Sequence, residues 1–235
     1  DLKYSIRPNK QVKRLKIKQH EGRVFSGDSS EPLYGSTYMP RKFKCAVTVP
    51  GDNSVDILTH DIGLVVFTNS KGILQGCNVY VGGGMGRSHN TESTFARTAD
   101  PLGYIEANNI FDLVQSILAL QRDYGDRQIR RHARMKYLIH DRGIDWFKSK
   151  LQEKYFPHKI LTLKREPTSV LEDYLGWHRQ SKGIWFVGIP LLCGRLKGNK
   201  KSKLRQIVQK FQLELRITPN QDILLCNIGN HQKSS

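Results

Sequence analysis

The chain has 235 residues, 38% of them hydrophobic, and carries 38 Lys and Arg against 21 Asp and Glu, a formal net charge of +17 at pH 7. That length suits one large domain or two modest ones, with no apolar run of membrane-spanning length, so it reads as a soluble globular protein without a membrane partner. The charge points to acidic partners, nucleic acid, an anionic membrane surface or an acidic protein, and much of it lies in two zones, 3–23 and 122–165.

Residues 1–30 are basic and irregular and end in the Ser/Gly/Asp-rich stretch 26–30, which reads as an arm or linker. The start is polar, without the apolar core of a secretory or transit segment. It is Asp1 rather than Met, so the native start is expected upstream. Strands are predicted over 44–50, 55–59, 62–68 and 73–81. Asn69-Ser70-Lys71-Gly72 supplies hairpin chemistry, and the apolar run 64–67 predicts a strand buried on both faces. The period then changes to helical: Ile110, Leu113, Val114, Ile117 and Leu118 define one helix, with Asn108 or Asn109 as N-cap. A second helix is predicted over 126–140, and a third carries Ile144, Phe147, Leu151 and Tyr155 up to Pro157. A polar connector follows from 159 to 172. Beyond it come a strand at 184–189, a helix at 200–211, and strands at 213–217 and 223–228 joined by Thr218-Pro219-Asn220-Gln221. The whole reads as α+β: a mixed or antiparallel sheet with clustered helices, then a partial ferredoxin-like βαββ half-domain that expects strands from elsewhere.

Pro40-Arg41-Lys42-Phe43-Lys44 is the most informative stretch. Lys42 and Lys44, two apart on an extended segment, point to the same side and repel unless an anion lies between them. With Arg41 they read as a site for a small oxyanion or a polycarboxylate; a solvated strand edge, where lysine is common, is the alternative. Val81-Gly82-Gly83-Gly84-Met85-Gly86-Arg87 fits neither a dinucleotide fingerprint nor a Walker loop. It reads as a tight turn, or as a wall where backbone N–H groups approach a flat or anionic ligand. Arg127, Arg130, Arg131 and Arg134 share one face of the predicted second helix, with Lys136 beside them. Such a stripe binds carboxylates or phosphates, or nucleic acid without sequence preference, or is simply solvated. Cys45, Cys77, Cys193 and Cys226 form no C-x-x-C pair, and three sit in apolar runs as candidate buried thiols, a usage that suits a reducing compartment. His60, His89, His132 and His178 share no metal-ligand spacing, and Trp177 and Trp185 read as core.

The blocks EPLYGSTYMPRKFKCAVTVPGDNSVDI (31–57), GCNVYVGGGMGRSH (76–89), TFARTADPLGY (94–104), QRDYGDRQIRRHARMKYLI (121–139), YLGWH, GRLKG and RITPNQDILLC (216–226) resemble, in order and spacing, the ferredoxin-dependent sulfite reductases of the nitrite/sulfite reductase family. The resemblance spans roughly 31–228, and residues 1–30 match poorly. It implies a sirohaem-binding domain over 31–160 and an incomplete ferredoxin-like half-domain over 161–235. It further implies reduction of sulfite to sulfide by six electrons at a sirohaem–[4Fe–4S] centre, with reduced ferredoxin as donor. By motif position Lys42 and Lys44 fall at the catalytic, sulfite-binding pair. Arg41, Gly83, Gly84, Arg87, Arg130, Arg134 and Lys136 fall at the cofactor wall.

The related ferredoxin–nitrite reductases usually carry Asn at the second basic position, so Lys44 favours sulfite. The family holds its cluster through C-x5-C and C-x3-C cysteines, a spacing absent from this chain, and those cysteines are expected after Ser235. The chain is therefore expected to be the middle of a longer polypeptide, inactive alone, from bacterial cytoplasm or plastid stroma. A basic nucleic-acid-binding module is the alternative from a different functional class.

Overall fold

Residues 32–167 and 170–234 are described by a computed structural model. They form two compact units, one ending at Ser169 and one starting at Val170. The first is built on a four-stranded mixed sheet of β1 (Cys45–Thr48), β2 (Ile62–Thr68), β3 (Leu74–Val81) and β4 (Asp100–Glu106), in that spatial order. Strand β1 runs parallel to β2, and the other neighbours are antiparallel.

The β2–β3 hairpin follows from Asn69. Its Oδ1 accepts the N–H groups of Lys71 and Ile73 at 2.9 and 3.0 Å, while Gly72 takes the left-handed φ of +76° the turn needs. Alternation along β2 sends Ile62 and Leu64 to one face and Val65 to the other, so both faces are covered as the apolar run implies. The first face meets α1 (Ile110–Tyr124), α2 (Met135–Arg142) and α3 (Ile144–Lys154). Leu113, Ile117, Leu120, Ile139, Phe147 and Leu151 fill the space between them. Each such side chain, wholly buried, contributes about 1.5–3 kcal/mol.

Four expectations change here. Residues 55–59 form no strand: Ile57–Thr59 is a 3₁₀ turn, entered through Asp56 at φ +51°. Strand β4 was not anticipated, because Pro101 and Gly103 break the apolar pattern; it lies at the sheet edge, where a proline costs no ladder bond. The second helix does not begin at 126. Only Arg130–His132 makes a 3₁₀ turn before α2 starts at Met135. Asp126 Oδ1 accepts the N–H groups of Gln128 and Ile129 at 2.7 and 2.9 Å, which shapes a turn instead of a helix. The stretch after 159 is also more than a connector. Leu161 pairs both backbone groups with Tyr104, Asn78 exchanges two hydrogen bonds with the Lys164 backbone, and Tyr80 donates its hydroxyl to Glu166 at 2.7 Å. The segment thus pairs with the β4 edge at Leu161 and then contacts the second face through Lys164 and Glu166. Burial and the Glu166 carboxylate push the Tyr80 phenol well above its usual range.

The second unit holds an antiparallel sheet in the order β5 (Gly176–Ser181), β6 (Ile184–Ile189), β8 (Ile223–Gly229), β7 (Glu214–Ile217), with α4 (Lys200–Phe211) between β6 and β7. Ile223, Leu225 and Ile228 pack with Leu204 and Val208 of α4. The neighbour expected from elsewhere is in part local: β5, unseen in the polar string Gly-Trp-His-Arg-Gln-Ser, pairs with β6. Trp177 on β5 is 44% exposed, with the Lys233 ammonium 5.1 Å from its ring, so it is not core. Cys77 and Cys226 are buried free thiols, whereas Cys45 lies exposed on the edge strand β1.

Candidate functional site

The segment before β1 is pinned at several points and free between them. Arg127 donates its guanidinium to the carbonyls of Thr37 and Tyr38, Met39 is buried, and Phe43 packs on the main core. The Lys44 N–H then donates to Asp61 Oδ2 at 2.9 Å, and its carbonyl accepts from Ile62 at 3.0 Å as β1 begins. These anchors leave Arg41 half-buried and the side chains of Lys42 and Lys44 exposed.

Arg41 and Lys42 open into a cleft of about 330 Å³ whose other walls include Arg87, Arg130, Arg131 and Arg134. Residues distant in sequence thus converge as one cationic hollow, and no carboxylate lines it. Such a cluster matches an anion with several carboxylate or sulfur–oxygen groups, because planar guanidinium forks bind them bidentately. Lys44 is not among the lining residues, although its backbone is tied into the same wall through Asp61.

The glycine loop works differently from the expected N–H cradle. Gly82, Gly83 and Gly84 donate their N–H groups to the carbonyls of Asp61, His60 and Arg97, so none is left for a ligand. Their own carbonyls receive cationic heads: Arg97 on Gly82, Arg134 on Gly83, Lys136 on Gly84. A Cβ at Gly83 would collide with the Leu58 carbonyl oxygen and stand 2.7 Å from that of His60, which explains the missing side chain. Gly83→Ala is therefore expected to cost about 2–3 kcal/mol in denaturant unfolding. Gly86→Ala, with nothing within 4 Å of the new methyl, stays within about 0.5 kcal/mol.

Lys136 is 1% exposed and donates to the carbonyls of Gly84, Gly86 and Phe95, so all three ammonium hydrogens are committed to backbone. Burial, then the neighbouring Arg134 charge, lowers its pKa. It holds the loop from beneath and presents no free donor to the cleft. Arg134 reaches Asp61 Oδ2 at 2.7 Å and the Gly83 carbonyl at 3.3 Å. Arg131 donates to Thr91 Oγ1 at 2.7 Å, and the His132 ring stacks on Tyr137 at 4.5 Å.

Nucleic-acid binding rested on a helical stripe and on the arm of residues 1–30; the arm lies outside the described residues, and the single helical stripe does not exist. Arg127 turns back onto carbonyls, Lys136 is buried, and Arg130, Arg131 and Arg134 face the cleft from a turn. Sequence reasoning missed Asp61, which nothing in its neighbourhood distinguished from a surface aspartate, and also Ser88, Thr94 and Tyr137 of the lining. Among the described residues no three His, Cys, Asp or Glu side chains could hold a metal ion, and no helix is long and apolar enough to cross a membrane. The residues described thus suit a polycarboxylate or oxyanion and do not suit an iron–sulfur cluster.

Known proteins resemble this chain over most of its length. The Nitrite and sulphite reductase 4Fe-4S domain matches residues 12–160, and the Nitrite/Sulfite reductase ferredoxin-like half domain matches 178–233. A sulfite reductase [ferredoxin] of Synechococcus elongatus is 57% identical over 88% of the chain and 34% of its own length. The sulfite reductase [NADPH] hemoprotein beta-component of Nitrosomonas europaea is 34% identical over 91% and 37%. The sulfite reductase [NADPH] subunit beta of Schizosaccharomyces pombe is 37% identical over 86% and 14%. The chain therefore spans about a third or less of the length of these curated relatives. Its fold matches the structure of the Mycobacterium tuberculosis NirA protein with a TM-score of 0.71, at 24% identity, over 83% of this chain and 35% of that one.

Proposed function

This chain belongs to the nitrite and sulphite reductase family, and from that premise we propose that it supplies the anion- and cofactor-facing part of a ferredoxin-dependent sulfite reductase. The observation that carries the reading is the carboxylate-free cationic cleft, where Arg41, Lys42, Arg87, Arg130 and Arg134 meet. On this reading residues 31–160 are the sirohaem-binding domain and 161–235 a ferredoxin-like half-domain.

A tetrapyrrole bearing eight carboxylates fits the donor set of the cleft, and Arg41, Arg87, Arg130 and Arg134 would hold it. When bound, sirohaem would supply the redox centre through which electrons from the donor reach sulfite. Conversion takes six electrons, and the three sulfite oxygens leave as water, so protons must reach each in turn. Lys42 and Lys44 neutralise the anion and carry protons at Nζ toward the departing oxygens. Gly83 and Gly84 let the loop lie close against 58–60 and Arg134, and Lys136 holds that loop in place. The described residues do not fit the cluster.

Ferredoxin as donor is supported by the higher identity to the ferredoxin-type relative than to the NADPH types, and by the +17 charge, which steers acidic proteins. The free thiols suit a reducing compartment, bacterial cytoplasm or plastid stroma. The test is to purify the full-length polypeptide that contains this chain. Tetrapyrrole absorption that shifts on sulfite addition, and sulfide production with reduced ferredoxin, are expected. A colourless protein without sulfite reduction after reconstitution with sirohaem sinks the reading.

A further inference from the structure

We propose that Asp61 is the positioning residue of the cationic cleft: one buried carboxylate that fixes both the Arg134 guanidinium and the Lys44 backbone where the anion meets them. The inference rests on the reading above and adds to it a residue outside the cleft lining.

Asp61 is 0% exposed and stands immediately before β2, where the parallel pairing with β1 begins. Its Oδ2 accepts from Arg134 Nη2 at 2.7 Å and from the Lys44 N–H at 2.9 Å. Its carbonyl accepts from Gly82 at 2.9 Å. One residue thereby ties three walls together: the lysine segment, the arginine turn and the glycine loop. The guanidinium and ammonium groups crowded round one hollow repel one another, and a carboxylate set behind the wall offsets part of that repulsion before any ligand arrives. Because it lies behind the wall, it does not compete with the ligand at the mouth.

The arrangement is poorly explained by folding alone. Among the described residues, Asp61 Oδ1 and Arg134 Nε are buried without a hydrogen-bond partner, so the pair is not optimised for stability. Burial raises the Asp61 carboxyl above its usual value of 3.8, although the Arg134 charge and hydrogen bond and the Lys44 N–H pull it back. The folded state therefore holds this proton more tightly than the unfolded one. The contribution of this group to stability therefore falls as pH rises from 3.8 through the raised folded value.

Asp61→Asn separates positioning from charge by the sign of the effect. The amide still accepts the Lys44 N–H but meets Arg134 without the ionic attraction. If the carboxylate acted only as a charge, removing it would make the cleft more positive and tighten anion binding. If it positions Arg134, binding weakens. The experiment titrates sulfite into the full-length, cofactor-loaded protein, follows the cofactor's visible absorption, and records denaturant unfolding in parallel. The expected result is a sulfite Kd about tenfold higher, ~1.4 kcal/mol, in a variant that the unfolding curve shows to be folded under the titration conditions. In an Arg134→Ala background Asp61→Asn adds nothing further, because both act through one contact. Unchanged or tighter sulfite binding, or additive effects in the double variant, overturns the inference while leaving the functional reading intact. A wild-type protein that binds no sulfite overturns both. Should Asp61→Asn fail to fold, Asp61→Ser, smaller and also able to accept the Lys44 N–H, carries the same comparison.

Discussion

Replacing Lys42 or Lys44 by alanine in the full-length protein is expected to lower sulfite turnover by about 10²–10³-fold, the scale of losing one preorganised charge donor at a reacting group. Neither side chain supports the fold. Both are exposed, while the segment that carries them is held by Arg127, Met39, Phe43 and the Lys44 backbone. Unfolding free energy should therefore move by no more than about 0.5 kcal/mol. Lys42 lines the cleft beside Arg41, so Lys42→Arg, which keeps the charge but not the compact ammonium, should retain more activity than Lys42→Ala. Near-normal turnover in both alanine variants would remove these lysines from the mechanism and return them to a solvated edge.

Lys136→Met has the opposite character: a stability defect of about 3 kcal/mol, read by denaturant unfolding, that arises from a side chain with no free donor. Methionine matches the length of the stem but leaves the half-buried Phe95 carbonyl without its ammonium partner, while the buried Gly84 carbonyl keeps only the Arg97 N–H. The Gly86 carbonyl, on an exposed residue, can turn to water, which limits the loss. The glycine loop then loosens beside Arg134, so reduced tetrapyrrole content should accompany the lost stability. A variant with wild-type unfolding would show that the three carbonyls find other partners.

The contrast between these two predictions marks where sequence reading works. Lys42 and Lys136 are both lysines in basic surroundings, and linear sequence gives them the same meaning. Only burial tells the ammonium that faces a ligand from the one spent on backbone. The same holds for the arginines. Spacing of three and four put Arg127, Arg130, Arg131 and Arg134 on one helical face, but Asp126 turns the chain and Arg127 folds back on Thr37 and Tyr38. Local hydrogen bonding overrode helical periodicity there.

What the sequence by itself determined is the α+β class, the β2–β3 hairpin through Asn69 and Gly72, the helices α1, α3 and α4, and the cationic character of the site. Each depends on residues close in the chain, where period and turn chemistry act directly. Tertiary structure alone decided the rest. Strand β4 exists because an edge tolerates Pro101, and β5 because β6 offers it a ladder. The glycine loop is a packed turn because its N–H groups meet 60–61 and Arg97. Asp61 became visible only once residues 44, 82 and 134 were brought within hydrogen-bond reach of it, a convergence over as many as 73 residues that no local pattern encodes.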